Sequence, residues 1–100
     1  MSVRWKWDPE KERANRAKHG ISFDLAARVL NDPAQVSRLD TPTAEERWQT
    51  IGKPSSSYPI YILVVHTETV IQSDGIEEGR IISARRATRR EQKLYEEGEF

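Results

Sequence analysis

Two histidines, a set of arginines and a few polar residues carry the chemistry open to this chain. His19 and His66 are its two imidazoles, and imidazole is the side chain that gives and takes protons near neutrality. Arg47, Arg80 and Arg85 are permanent cations whose planar forks fit phosphate. Lys11, Asn15, Arg86 and Arg89 add charge and hydrogen-bonding capacity around them. Such a set suits cleavage of RNA without a metal. One group takes the 2′-hydroxyl proton, another protonates the departing oxygen, and cations hold the charge of a phosphorane-like transition state. Plainer readings stay open beside this one. His66 also fits a partly buried imidazole bonded to backbone, His19 a helix-terminal cap, and the arginine run a solvated helix face.

Other chemistries lack their motifs. There is no glycine-rich phosphate loop, nucleophile elbow or HExxH pattern. The chain has no cysteine, so neither a disulfide framework nor a cysteine-bound zinc is open to it. Its two histidines stand far apart in sequence with no third ligand in pattern, so no metal and no cofactor are expected.

The elements that must position these residues are legible in part. Arg80–Ala84 is β-branched and free of breakers, which predicts a strand. From Arg85 strong helix formers take over, which predicts a surface helix reaching Tyr95. On it Arg86, Arg89, Arg90 and Lys93 would form one basic stripe by i, i+3, i+4, i+7 spacing. At the other end of the chain, Val3–Trp7 alternates apolar with charged residues, a short strand. Asp8 and Pro9 open a helix that closes at Gly20, with Lys11, Asn15 and His19 along one face. Ser22 caps a core helix from Phe23 to Leu30, ended by Asn31-Asp32-Pro33. Strands are expected at Ala34–Leu39, Glu46–Lys53 and Tyr58–Thr67, with a turn at Asp40–Thr43 and a loop at Lys53–Ser57. The third of these strands is apolar on both faces and should be central. Glu68–Gly79 reads as a loop, with a possible strand extension at Val70-Ile71.

One hundred residues make a single domain, 1–100, with one core. The order of elements predicts an α+β fold: a short N-terminal strand and two helices, a mostly antiparallel sheet of about four strands, and a C-terminal helix. No apolar run is long enough to span a bilayer and no leader segment is evident, so a cytoplasmic protein is expected. Net charge is zero, but the charge is unevenly spread. Residues 1–20 carry six Lys or Arg against three Asp or Glu, and residues 80–93 six against one; the middle and the last seven residues are acidic. If the two basic flanks meet in the fold, they leave a positive surface suited to a polyanion.

These residues together resemble the BrnT toxin family, the toxin half of a bacterial type II toxin–antitoxin pair. The resemblance rests on Trp7-Asp8-Pro9 with Lys11 and Asn15, Lys18-His19-Gly20-Ile21-Ser22-Phe23, and Asp32-Pro33. Further on it rests on Glu46-Arg47-Trp48 with Ile51-Gly52, Val64-Val65-His66-Thr67, and Arg80-Ile81-Ile82-Ser83-Ala84-Arg85 with Ala87-Thr88, Glu91 and Tyr95. It covers nearly the whole chain. The resemblance implies a RelE-like fold and a ribonuclease that inhibits translation. It also implies a BrnA-like ribbon-helix-helix antitoxin as partner, with operator DNA bound mainly through that antitoxin. Chemistry on the motif positions then assigns His19 and His66 to proton transfer and Arg47, Arg80 and Arg85 to phosphate, with Lys11, Asn15, Arg86 and Arg89 guiding RNA. A second reading rests on the zero net charge and the acidic loop Gln72–Gly79. It is a catalytically weak homologue that holds the antitoxin as a co-repressor.

Overall fold

The computed structural model of the chain describes residues 3–40 and 46–100. Strand β1 (Arg4–Lys6) leads into helix α1 (Pro9–His19). The Asp8 carboxylate accepts the Glu10 N–H at 2.9 Å. Pro9 takes the first turn, where a missing N–H costs nothing. Gly20 ends the helix at φ 74, and its N–H returns to the Arg16 carbonyl at 2.8 Å. Helix α2 (Phe23–Val29) follows, with the Ser22 hydroxyl accepting the Leu25 N–H at 3.1 Å.

The rest of the chain forms β2 (Val36–Asp40), β3 (Arg47–Gly52), β4 (Ile62–Thr67), β5 (Val70–Ile71), β6 (Glu77–Arg86) and α3 (Arg89–Glu97). The architecture is α+β, as expected, with six strands in all against the expected N-terminal strand and sheet of about four. The sheet runs β1-β6-β4-β3-β2, with β5 also paired to β6. The β1–β6 pair is parallel and the others are antiparallel. Strand β4 is central, as its two apolar faces required.

Three sequence expectations give way. β4 begins at Ile62 rather than Tyr58; Pro59, in the stretch before it, has no N–H to give a ladder. The segment after Thr67 is a hairpin rather than a loop, and the possible strand extension at Val70-Ile71 is one of its arms. Val70 and Ile71 pair with Glu78 and Glu77, and Gly75 turns the chain at φ 83. The largest correction concerns Arg85 and Arg86, which lie on β6 and not on the helix. Arg85 pairs opposite Leu63 and Arg86 opposite Ile62, so ladder bonds to β4 outweigh local helix propensity. Helix α3 starts only after Thr88, whose hydroxyl accepts the Glu91 N–H while Glu91 accepts the Thr88 N–H. The basic stripe on α3 is therefore Arg89, Arg90 and Lys93 without Arg86. Residues 41–43 of the expected turn fall outside the described residues.

The sheet has two unlike faces. On the inner face, Ile62, Val64, Ile81 and Ala84 pack with Ile21 and with Phe23, Ala26 and Val29 of α2. Each buried isoleucine, valine or phenylalanine among them contributes about 2 kcal/mol of transfer free energy. Helix α1 has no large buried apolar residue and is held instead by Asn15. Its amide donates to the Ala84 and Ile21 carbonyls at 2.8 and 3.3 Å and accepts the Ala84 N–H at 3.2 Å. The outer face carries a smaller cluster of Ile51, Leu63 and Ala87, covered by Tyr95 of α3 and by Phe100.

Candidate nucleic-acid interface

The register of the sheet decides which functional side chains can meet, because residues directly opposite share a face. Leu63 belongs to the outer cluster, so Arg85 opposite it is on the outer face. Val65 and Thr67 alternate onto that face too. Arg47 lies opposite both Thr67 and Asp40. The backbone N–H of Arg80 donates to the Thr67 hydroxyl at 2.9 Å, and Arg80 pairs with Lys6 across the parallel ladder. One row of outer-face residues thus reads Asp40, Arg47, Thr67, Arg80, Lys6.

Arg80 and Arg85 are five residues apart and would face opposite ways on a regular strand. The ladder shifts register between Val65 and His66. Ser83 pairs with Val65 but Ile81 pairs with His66, so β6 holds one extra residue there. This bulge turns Arg80 back to the side of Arg85. All three candidate arginines therefore share the outer face. Nothing in the alternation of the sequence signals the extra residue.

Their surroundings differ. Arg85 forms a two-pronged pair with Glu91 at 2.9 and 3.0 Å. Hydrogen bonding to Glu91 raises the Arg85 pKa. Burial works to raise the Glu91 pKa, but the bonds from Arg85 and the Thr88 N–H outweigh it and hold it low. Arg80 is exposed and lies at the other end of the face with Lys6 and Thr67, along a shallow cleft bounded by Glu68 and Glu78. The acids of the β5–β6 hairpin are engaged locally. Glu78 pairs with Arg4 at 2.9 Å and Lys6 at 3.4 Å, and Asp74 with Arg4 at 3.4 Å. Asp40 accepts from the Gln49 amide at 2.9 Å, and the Gln49 oxygen accepts from Arg38 at 3.1 Å.

The histidines lie elsewhere. His66 faces inward under Trp5, ring centroids 5.2 Å apart at 78°. Its Nδ1 is 3.0 Å from the Thr67 carbonyl, which can only accept, so Nδ1 carries the proton. Nε2 then accepts from the Thr50 hydroxyl at 2.7 Å, and Thr50 is 2.7 Å from the Ser37 hydroxyl. Burial pulls the His66 pKa below its ordinary value, which keeps the ring neutral. His19 is half-buried in the last turn of α1, the helix held to β6 by Asn15 on the inner side. The structure thus separates the two histidines from the three arginines.

The guiding residues also scatter. Lys11 is exposed on α1, Arg86 at the end of β6 and Arg89 at the start of α3. Asn15 is 8% exposed with its amide engaged, so it pins a helix instead of lining a cleft. Sequence reasoning missed Asp40 and Thr67, which only register places beside Arg47. It also missed Asp32, which accepts from the Lys53 and Ala34 N–H groups and from the Tyr95 hydroxyl at 2.7 Å. Burial works to raise the Asp32 pKa, but those bonds hold it low, while burial and Asp32 push Tyr95 up to about 12.

The fold and its register define an α+β protein with Arg47, Arg80 and Arg85 on one face of the sheet. Residues 7–91 match the family model described as ribonuclease toxin, BrnT, of type II toxin-antitoxin system, and the chain belongs to that family. Membership of a type II system gives it a protein antitoxin as partner. No curated protein matches the sequence. Among the described residues no helix is long and apolar enough to cross a membrane.

Proposed function

We propose that this chain is a metal-independent endoribonuclease that cuts RNA on the outer sheet face, inhibits translation in the cytoplasm, and is neutralised by a BrnA-like ribbon-helix-helix antitoxin. The observation that carries the reading is the placement of Arg47 and Arg80 on either side of Thr67, on one face, in a chain of a ribonuclease toxin family. In this reading the two guanidinium groups hold the scissile phosphate. The 2′-oxygen attacks phosphorus, the bond from phosphorus to the 5′-oxygen breaks, the departing oxygen takes a proton from water, and a 2′,3′-cyclic phosphate and a 5′-hydroxyl result. Asp40, in the same row, is the carboxylate placed to take the 2′-hydroxyl proton. Proton transfer moves away from His19 and His66, since neither shares the face and both ring nitrogens of His66 are engaged. Arg85 serves the face from its covered end by anchoring α3 through Glu91.

The test is purified chain with RNA in the presence of a metal chelator, with the ends of the products identified. Cyclic phosphate ends that vanish in Arg80→Ala support the reading. Intact RNA with folded protein would remove it. Co-expression with the adjacent reading frame tests the antitoxin: growth arrest should be relieved and a complex should co-purify.

A further inference from the structure

On the opposite side of Thr67 and Glu68 from Arg80 lies a second cleft, of about 280 Å³. Trp5, Trp48, His66, Ser37, Glu68 and Glu77 are among the residues that line it. Trp48 sits directly opposite His66 on the neighbouring strand. Trp5 packs against Gly79, where a Cβ would fall 2.5 Å from its ring, so glycine is what lets the indole settle there. The indole N–H of Trp48 donates to Glu68 at 2.9 Å, and the Thr69 hydroxyl donates to Glu77. Each carboxylate uses one oxygen in that bond and has a second.

Among the described residues no Lys or Arg lines this cleft, and burial lowers the His66 pKa, which favours the neutral ring. It is therefore unsuited to phosphate. Aromatic walls with carboxylate acceptors suit a flat ring that carries hydrogen-bond donors. Guanine is the base with two adjacent kinds of donor on one edge, N1–H and the 2-amino group, a match for a carboxylate. We infer that the Trp5–Trp48 cleft is a nucleobase slot selective for guanine, and that it sets where RNA is cut. The second half of this inference rests on the nuclease reading above. Thr67 and Glu68 line both this cleft and the one holding Lys6 and Arg80. A guanosine in the slot would hand its phosphate around the end of the sheet to those cations.

The test is quenching of intrinsic tryptophan fluorescence by GMP, AMP, CMP and UMP, which differ only in the base presented. GMP is expected to bind saturably and about 10-fold or more tighter than the others, the discrimination typical of hydrogen bonds to a charged group. Glu77→Gln should erase most of that preference and leave AMP unchanged. Trp48→Phe should keep GMP binding and Trp48→Ala should lose it, with circular dichroism confirming the fold of each. Equal binding of all four nucleotides, or no binding by the folded chain, would overturn the slot. GMP binding needs no cleavage. A chain that binds GMP selectively but leaves RNA intact keeps the slot and removes the nuclease reading. A chain that cuts RNA without base preference and ignores GMP does the reverse.

Discussion

His66 and Thr67 are neighbours in the chain and lie on opposite faces of one sheet. Inward, His66 is enclosed by Trp5 and Thr50 and held neutral. Outward, Thr67 stands between Arg47 and Arg80. The inner face meets two helices and is apolar nearly to its end, while α3 covers only part of the outer face. The same contrast runs along the outer face itself. At its covered end Arg85 is committed to Glu91; at its open end Arg80 is exposed.

The contrast can be broken or sharpened by experiment, the largest effect first. Asn15→Ala should cost about 3 kcal/mol in urea unfolding, because it leaves buried backbone groups of Ile21 and Ala84 without partners. The next effect is in pH. The His66 pKa is lowered from its ordinary 6.5, so the unfolded chain binds a proton more readily than the folded one. Stability from this group is fully present above pH 6.5 and is lost as pH falls toward the lower folded pKa. The slope is at most about 1.4 kcal/mol per pH unit, and His66→Gln should flatten it. A smaller effect is expected at the covered end. A double-mutant cycle on Arg85 and Glu91 should give a coupling of about 1 kcal/mol, modest because the pair is partly open to solvent. The smallest concerns the hairpin acids. Glu78→Gln relieves Arg4 and Lys6 of a shared partner, so RNA binding should tighten. The dependence of log K on log salt should steepen by about one.

The helix caps and the core alternation were readable from sequence because each is a local rule: Asp8-Pro9, Ser22, Gly20, and the two-faced Ile62–Thr67 run. Arg47, Arg80 and Arg85, grouped by their chemistry, share one face of the sheet, while His19 and His66 do not. The geometry of the site was not readable. An extra residue in β6 sets which way Arg80 points, and the pairing of Asp40 with Arg47 depends on the register of β2 on β3. Both are settled by tertiary packing. The helix expected from Arg85 failed for the same reason: charge and helix propensity at Arg85 and Arg86 are local signals, and the β4 ladder overrides them. Asn15 misled most. A polar residue on a polar helix reads as solvent-facing, and only its distances to Ala84 show it to be the bolt of α1.

The most direct test of the outer-face site is single-turnover cleavage of RNA by Arg80→Ala beside the unmodified chain, with the unfolding midpoint of each measured in the same buffer. Loss of one phosphate-holding guanidinium should slow cleavage about 100-fold. Stability should stay within about 0.5 kcal/mol, since the side chain is exposed. Cleavage at the full rate, or a slower rate matched by a proportionate loss of folded protein, would contradict the assignment of RNA chemistry to the open end of the outer face.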